Sequence, residues 1–519
     1  QYGRRQTREI EIVLGNAHRS DLLSVNACQL LPTLDFLAFI HARRSVVCHR
    51  VLNCYSSTFL FFFFPAPSRP SDVEKKENRV WEFSCLLGGY VRPPERKKNS
   101  LPCCASAMVA GPSKITSLQA FYAFGAAASQ RGAGCHGRMW TVRLEGGPRR
   151  VNHAAVAING KVYSFGGYCT GEDYNTRKPI DVHVLNTVSL RWALVQTQSH
   201  PDDVPFQRYG HTVMAYGDYA YLWGGRNDDG ACNVLYRFDT NTLTWSRPKV
   251  CGHVPGARDG HSACVMGNRM YVFGGFEEQA DRFSQDVHYL DLDTMLWQYV
   301  PTRGQPPQWR DFHSASAIGG RMYVWGGRGD SQGPYHSQSE VYCNRMAYLD
   351  TATSCWVHPR VEGVPPEGRR SHSAFVYNGE LYIFGGYNGL LLTHFGDMHK
   401  YDPESSCWSQ VKIQREGPCA RRRQCCCMVG DRLFLFGGTS PTPNQVARQR
   451  MEEFDANDLT LMDHSDLHVL DFAPTLKTLC LLAVIDARMD ISHLPQDIRW
   501  EISAMTTNNS ISRPSQTTG

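Results

Sequence analysis

From residue 139 onward the chain consists of short apolar runs separated by glycine and asparagine turns. One unit shows the pattern: residues 261–266 (HSACVM) and 270–273 (MYVF) are apolar, residues 286–292 (DVHYLDL) alternate, and Trp297 opens a fourth run. Short runs of this kind, bounded by such turns, predict β-strands rather than helices. The pattern therefore predicts an all-β domain assembled from four-stranded units.

The units share residues at fixed spacing. A Gly-Gly doublet recurs six times, 50 to 59 residues apart, starting at Gly166, Gly224, Gly274, Gly326, Gly385 and Gly437. An arginine stands sixteen residues before each doublet, at Arg150, Arg208, Arg258, Arg310, Arg369 and Arg421. Thirteen residues before it stand His153, His211, His261, His313, His372 and, in the sixth unit, Gln424. Five doublets are followed by a tryptophan, at Trp192, Trp245, Trp297, Trp356 and Trp408. This repeat resembles the kelch repeat, and the resemblance implies a six-bladed β-propeller.

We expect the recurring residues to be structural. Tandem glycines permit positive φ and close backbone approach, and the tryptophans fill the space between blades. One histidine per unit spreads the histidines around the ring, so we predict no metal site and no cofactor. An oxidase on this fold would need clustered His and Tyr ligands for copper, which even spacing does not provide. We therefore predict a protein that is not an enzyme.

The two ends of the repeat array complement each other. The sixth unit has a third strand at residues 466–472 but no tryptophan after it, whereas Trp140 precedes Arg150 as the other tryptophans precede their arginines. We predict that the N-terminal strand completes the sixth blade, which closes the propeller over residues 139–472 and removes its sheet edges.

The residues before the repeats have a different character. Residues 1–138 show neither the repeat nor a persistent helical or strand period, so we expect an unstructured leader. A natural start at Met139, with the leader not part of the natural protein, and a genuine disordered extension both stay open.

Bulk composition limits the classes of partner. A net charge of +5 over 519 residues favours no polyanion strongly. The nineteen cysteines include no C-x-x-C pair, which indicates reduced thiols rather than zinc sites or a disulfide framework. The apolar run at residues 59–64 (FLFFFF) is far shorter than the ~20 residues of a membrane span. We therefore expect no membrane association and a cytoplasmic location, with a nuclear one left open.

One end of the ring is predicted to carry the recognition residues. The loop after Gly-Gly and the turn before each Arg-x-x-His strand are expected on one face. They supply Arg226, Arg328, Arg370, Arg422, Arg423, Tyr168, Tyr209, Trp309, Phe312 and Tyr387. Guanidinium groups between aromatic walls suit a carboxylate or phosphate on a flat or apolar group. Pairing of these arginines with Asp259, Asp311 and Asp330 is the alternative, and both interpretations stay open.

Two motifs follow the predicted ring. Residues 475–484 (TLKTLCLLAV) resemble the elongin-binding box of ubiquitin-ligase substrate receptors. Its defining places hold Thr475, Leu476, Cys480 and Val484. Residues 494–502 (LPQDIRWEI) resemble the companion cullin-2 box, whose places hold Leu494, Pro495 and Ile498. We assign residues 473–503 to these box helices and residues 504–519 to a flexible tail.

Repeats and boxes in this order resemble the kelch-domain-containing substrate receptors of cullin-2 ubiquitin ligases. The resemblance implies a non-catalytic subunit that binds elongin B/C and cullin-2 and clamps the free carboxylate of substrates ending in glycine. The family's clamp corresponds to Arg328 and to Ser371 or its neighbour Arg370. The family loop has a second arginine, but residues 329–333 (GDSQG) contain none, and Arg370 is the candidate replacement. The predicted peptide site comprises Arg226, Arg328, Arg370, Ser371, Trp309 and Tyr387.

Two further hypotheses stay open. A chromatin- or histone-tail-binding kelch module, similar to the propeller of the V(D)J recombination-activating complex, is compatible with the aromatic walls, although the mild charge does not favour it. The chain also ends in Gly519, so its own tail could occupy the pocket and cause self-association. A terminus without any such role is the plain alternative.

Overall fold

Six four-stranded antiparallel sheets, or blades, dominate the computed structural model, which describes residues 137–170, 177–442 and 461–512. The predicted leader, apart from its last two residues, lies outside the described residues.

The blades follow one another along the chain, and each runs from an inner to an outer strand. Blade one contains β2 (Ala154–Ile158), β3 (Lys161–Phe165), β4 (Val182–Asn186) and β5 (Arg191–Leu194). Blade two contains β6 (Tyr209–Tyr216), β7 (Tyr219–Asn227), β9 (Tyr236–Asp239) and β10 (Thr244–Ser246). Blade three contains β13 (Ser262–Met266), β14 (Arg269–Phe273), β17 (Val287–Asp291) and β18 (Leu296–Tyr299). Blade four contains β19 (Ser314–Ile318), β20 (Arg321–Trp325), β23 (Ala347–Asp350) and β24 (Cys355–Val357). Blade five contains β26 (Ser373–Tyr377), β27 (Glu380–Phe384), β30 (Met398–Asp402) and β31 (Cys407–Gln410). Blade six contains β32 (Cys425–Val429), β33 (Arg432–Phe436), β36 (Leu467–Asp471) and β1 (Met139–Leu144).

Short additional strands lie beside the blades and in their loops. Beside blades two, three and five run β8 (Gly230–Ala231), β11 (Cys251–Gly252) and β25 (Glu362–Gly363). The turn before the third doublet adds β12 (Arg258–Asp259). The loops after the doublets add β15 (Phe276–Glu277), β16 (Arg282–Phe283), β21 (Arg328–Asp330), β22 (Glu340–Tyr342), β28 (Tyr387–Asn388), β29 (Thr393–His394), β34 (Thr439–Pro441) and β35 (Leu461–Asp463). Two α-helices follow the last strand, α1 (Leu476–Asp486) and α2 (Gln496–Thr506).

The blades form a closed ring. The inner strands contact one another in the cycle β2, β6, β13, β19, β26, β32 and back to β2. Blade six takes its outer strand from the N-terminal side, because β1 pairs antiparallel with β36, with Trp140 opposite Leu470. The fold is therefore a six-bladed propeller with two short C-terminal helices, and the predicted fold class is confirmed.

A circle of backbone hydrogen bonds surrounds the central channel. It runs through the residue before the repeat histidine or glutamine of each blade: Asn152, Gly210, Gly260, Phe312, Ser371 and Arg423. All six have positive φ, and each amide donates to the carbonyl of the preceding blade's residue at 2.7 to 3.1 Å. Because main-chain atoms alone make these bonds, the side chains at these positions are free to differ.

The Gly-Gly doublets lie between the histidines of two blades. A Cβ on Gly224 would lie 2.4 Å from Cε1 of His261 in the next blade, and one on Gly225 would lie 2.6 Å from Cβ of His211 in its own blade. Both glycines also have positive φ, at 72° and 80°. The other doublets repeat this arrangement, with Gln424 in place of the sixth histidine. Only glycine satisfies both the conformation and the space.

The arginine sixteen residues before the doublet supports the same turn. Arg258 donates from Nη1 to the carbonyl of Gly274 at 3.1 Å and from Nε to the carbonyl of Gly256 at 2.9 Å. The same bond to the first glycine is made by Arg208, Arg310, Arg369 and Arg421. The spacing of sixteen thus reflects a side chain that satisfies a buried carbonyl where the sheet ladder ends.

Tryptophans on the outer strands fill the gaps between blades. Trp297 packs against Trp223 of the preceding blade with ring centres 5.3 Å apart, and Trp245 packs against Phe165 at 5.7 Å. The apolar core is accordingly a series of clusters that each join two neighbouring blades. Such contacts make the closed ring, rather than the single blade, the stable unit.

Candidate functional site

The two predicted recognition segments meet in every blade. The residue after the repeat arginine pairs through its backbone with the residue after the doublet: Val151 with Tyr168, Tyr209 with Arg226, Asp259 with Phe276, Asp311 with Arg328, Arg370 with Tyr387, and Arg422 with Thr439. We call these twelve positions the mouth. Its side chains differ strongly between blades, and their charges are distributed unevenly.

On blades two to four, opposite charges pair. The Arg328 guanidinium donates to the buried Asp311 carboxylate through Nη2 at 2.6 Å and Nε at 3.2 Å, and its Nη1 lies 3.4 Å from Glu340. Arg226 lies 3.2 Å from Glu278. Both arginines were predicted to bind a ligand, yet each already has a carboxylate partner.

Buried carboxyl groups make this side of the mouth acidic in character. Burial, together with the neighbouring Asp311 charge, raises the pKa of Asp259 to about 7. Burial also raises the pKa of Asp311, although the Arg328 charge opposes the shift. Asp330, the third proposed partner, bonds instead to Ser337 of its own loop. Two buried acids and two ion pairs leave little attraction for an anion here.

Blades five and six carry three arginines, Arg370, Arg422 and Arg423, for which the described residues supply no acidic partner. The Cζ of Arg422 lies 4.3 Å from the centre of the Tyr387 ring, and that of Arg370 lies 5.9 Å from the same ring. Arg423 donates to the Tyr168 hydroxyl. Within the part of the chain that the structure describes, no carboxylate lies within ion-pair distance of these three guanidinium groups.

Arg422 is the least compensated of the three. Only 9% of the residue is exposed, and its Nε has no hydrogen-bond partner among the described residues. Burial and the charges of Arg423 and Arg370 lower its pKa to about 10, so it stays charged at neutral pH. A buried, unpaired cation destabilises the free protein and is a typical mark of a site for an anion.

The predicted site residues fall into two groups. Arg370, Ser371 and Tyr387 come together on blade five, and Ser371 lines the central cavity of about 140 Å³ together with Arg423. Arg226, Arg328 and Trp309 lie on blades two and four. Trp309 is half-buried, and its Nε1 has no partner among the described residues.

Two residues beside the mouth, Tyr342 and His394, have no counterpart in the repeat pattern. The Arg370 guanidinium lies 5.8 Å from the Tyr342 ring, and the His394 ring lies 4.6 Å from the Tyr387 ring. Burial and the Arg422 and Arg423 charges lower the pKa of His394 to about 3, so the imidazole is neutral. Both residues come from loops of variable length, where no fixed spacing could have identified them.

Helix α1 exposes apolar residues to solvent. Thr475 caps it by accepting a hydrogen bond from the Thr478 amide at 3.1 Å, while Leu481 and Leu482 are buried. On the other face Leu476 is 72% exposed. Cys480 and Val484, each one helical turn further on, are half-buried. An exposed apolar face on a fixed helix indicates a protein-docking surface.

Helix α2 holds the pair of helices on the ring. Pro495 stands at its N-cap, Ile502 and Ala504 are buried, and Met505 packs against the core cluster that contains Trp192. Leu494 and Ile498 are half-buried, whereas Trp500 is 48% exposed.

The predicted flexible tail needs correction over its first part. The helix continues to Thr506, and beyond it the Glu145 amide donates to Asn508 Oδ1 and the Trp192 amide to Asn509 Oδ1, at 2.9 and 3.0 Å. These asparagines satisfy backbone groups at the edges of blades six and one. Residues 513–519, including Gly519 and its proposed self-association, lie outside the described residues.

Comparisons with known proteins agree with this architecture. Residues 210–438 match the family model described as the KLHDC2/KLHL20/DRC7 Kelch-repeats domain, and residues 149–197 match the Kelch motif. Kelch domain-containing protein 3 from Homo sapiens and from Bos taurus are each 59% identical to the chain over 381 residues, covering 72% of this chain and 98% of the relative. The chain belongs to the kelch domain-containing protein 3 family. Host cell factor 2 from Homo sapiens is 30% identical over 266 residues, 49% of this chain and 33% of that protein.

Membership in this kelch family identifies the propeller as a protein-interaction module, a class that is typically not enzymatic. The predicted resemblance to kelch proteins is confirmed, while the cullin-2 role stays a prediction.

The repeat histidines of this kelch protein have ordinary structural surroundings. Within the described ranges, no group of three or more His, Cys, Asp or Glu residues could hold a metal ion, and every cysteine is a free thiol. Burial and nearby charges lower the pKa of His153, His211 and His372 to about 3, which keeps these histidines neutral. No helix in the described part of the chain is long and apolar enough to cross a membrane.

Proposed function

We propose that this protein is the substrate-recognition subunit of a cullin-2 RING ubiquitin ligase. The propeller mouth holds the C-terminus of a substrate that ends in glycine, and the helices dock elongin B/C and cullin-2. The protein itself performs no chemistry, because ubiquitin transfer belongs to the recruited enzymes.

The observation that carries this proposal is the exposed apolar face of α1. Leu476, Cys480 and Val484 match the elongin box by sequence, and Leu476 is left 72% exposed although the opposite face of the helix is buried. Burial of such a leucine by a partner contributes about 1.5–3 kcal/mol to the binding free energy. Cullin-2 would then contact the segment around Leu494, Pro495 and Ile498.

The mouth supports the substrate half of the proposal. A free C-terminus is a carboxylate, and bidentate guanidinium–carboxylate bonds are strong and directional. A terminal glycine has no side chain that would keep its carboxylate away from a half-buried guanidinium group such as that of Arg370. Three arginines without acidic partners among the described residues offer such bonds.

Two measurements test the proposal. The full chain is co-purified from cells and probed for elongin B/C, cullin-2 and nucleosomes, and the immobilised chain is offered random peptides ending in glycine as free acids or as amides. We expect the ligase subunits to co-purify and the acids to be enriched over the amides. Nucleosomes without elongin would favour the chromatin-binding alternative, and equal capture of acids and amides would exclude carboxylate recognition.

A further inference from the structure

An exposed cysteine on blade six lies within a cluster of hydrogen-bonding side chains. Cys419 stands two residues before the repeat arginine, and its Sγ accepts a hydrogen bond from Nη2 of Arg421 at 3.3 Å. Nε2 of His464 lies 3.6 Å from the same sulfur, and Oγ of Ser440 lies 3.8 Å from it. The fold does not require a thiol at this place, because the equivalent residues of the other units are Pro148, Phe206, Gly256, Gln308 and Glu367.

The cluster borders a groove of about 640 Å³. Cys419, Arg421 and His464 line this groove, and so does His468. His468 is only 2% exposed, and its Nδ1 has no hydrogen-bond partner among the described residues. A buried polar atom left unpaired in the wall of a groove indicates a small polar occupant that would hydrogen-bond to it.

We propose that Cys419 is a site of oxidation by hydrogen peroxide, which converts its thiol to a sulfenic acid. The inference is independent of the proposed receptor function. The deprotonated sulfur attacks one peroxide oxygen, so that the S–O bond forms and the O–O bond breaks. Sulfur loses two electrons, and the hydroxide that leaves combines with the proton of the thiol to give water. A sulfenic acid is a reversible product that condenses with other thiols.

The surroundings of Cys419 suit this reaction. The thiolate is the nucleophile, and it is favoured where a cationic donor faces a sulfur that solvent can reach. Arg421 supplies that donor. Asp466 accepts two hydrogen bonds from Arg421, at 2.6 and 2.7 Å, which offsets part of its charge but fixes the guanidinium beside the sulfur. Burial and the Arg421 charge lower the pKa of His464 to about 4, so its neutral imidazole can hydrogen-bond to the thiol or to the Ser440 hydroxyl at 2.8 Å.

Cys251 offers a matched comparison within the same chain. It is also exposed, but the contact of its Sγ is to the Met295 carbonyl at 3.9 Å, and no described side chain donates to it. Trypsin places the two cysteines in separate short peptides, residues 416–421 (EGPCAR) and 250–258 (VCGHVPGAR). The two thiols can therefore be followed in one sample.

The rate of oxidation tests the proposal. The reduced full chain is treated with hydrogen peroxide, sulfenic acid is trapped with a 1,3-diketone, and both peptides are quantified over time by mass spectrometry. We expect Cys419 to be labelled about ten-fold faster than Cys251 in the folded chain, and the two rates to become similar in urea. Ser440→Ala should slow Cys419 several-fold, and a folded Arg421→Gln should bring its rate close to that of Cys251.

Three results would overturn the assignment. The first is labelling of Cys419 in the folded wild type that is no faster than labelling of Cys251. The second is a faster rate at Cys419 that persists in urea, because the local sequence rather than the cluster would then cause it. The third is an unchanged Cys419 rate in both folded variants.

Discussion

Replacing His211 by glutamine is expected to stabilise the propeller in acid and to leave its stability almost unchanged at pH 8. Burial and the nearby Arg208 and His153 lower the pKa of His211 from 6.5 to about 3. Between these two values the unfolded chain binds a proton that the folded chain does not. The free energy of unfolding is therefore highest above pH 6.5 and decreases as the pH falls toward 3.

The magnitude follows from the linkage. A pH of 5 lies about 1.5 units below the pKa of the histidine in the unfolded chain. Each buried neutral histidine therefore lowers the free energy of unfolding by about 2 kcal/mol at this pH. Glutamine does not titrate, and Gln424 already occupies the equivalent position in blade six. Gln424 donates from Nε2 to the Phe384 carbonyl at 3.0 Å, as His211 Nε2 does to the Phe165 carbonyl at 3.1 Å.

Urea denaturation of wild type and His211→Gln at pH 5 and pH 8 measures the effect. The variant should gain about 2 kcal/mol relative to wild type on going from pH 8 to pH 5. His200→Gln, at a side chain that is 70% exposed, is the control for the chemical substitution itself. Equal differences between wild type and His211→Gln at both pH values would refute the reasoning.

Three further predictions test the fold and the docking helices. Gly319→Ala, at φ 56° with open space around the new Cβ, should lose about 1–2 kcal/mol of unfolding free energy, and Gly326→Ala about 1–3 kcal/mol more, because its Cβ would lie 2.5 Å from His372. Leu476→Ala should abolish elongin co-purification without lowering the melting temperature. The control Val364→Ala, at a similarly exposed residue, should change neither quantity. Retained elongin in Leu476→Ala would remove the main support for the receptor proposal. Asn509→Ala should destabilise by about 1–2 kcal/mol and speed hydrogen exchange of the Trp192 amide, which loses its acceptor.

The repeat spacing contained most of the architecture. An arginine sixteen residues before Gly-Gly reaches the first glycine's carbonyl, as Arg258 reaches Gly274, and a histidine thirteen residues before it packs on the doublet. Trp140 was predicted in the outer strand of the sixth blade, and β1 pairs there with β36. These relations depend on local geometry that repeats in every blade, so they appear in the sequence as fixed distances.

The sequence by itself thus determined the blades, their number and the face on which the two recognition segments meet. Which arginine of that face is available was decided by the tertiary structure alone. Arg328 and Arg422 occupy comparable places in the mouth, but loop folding brings Asp311 and Glu340 to Arg328 and brings Arg370, Arg423 and the Tyr387 ring to Arg422. The electrostatic potential at a site is the sum of contributions from charged neighbours that are distant in the chain. The spacing of the repeats contains no information about these neighbours.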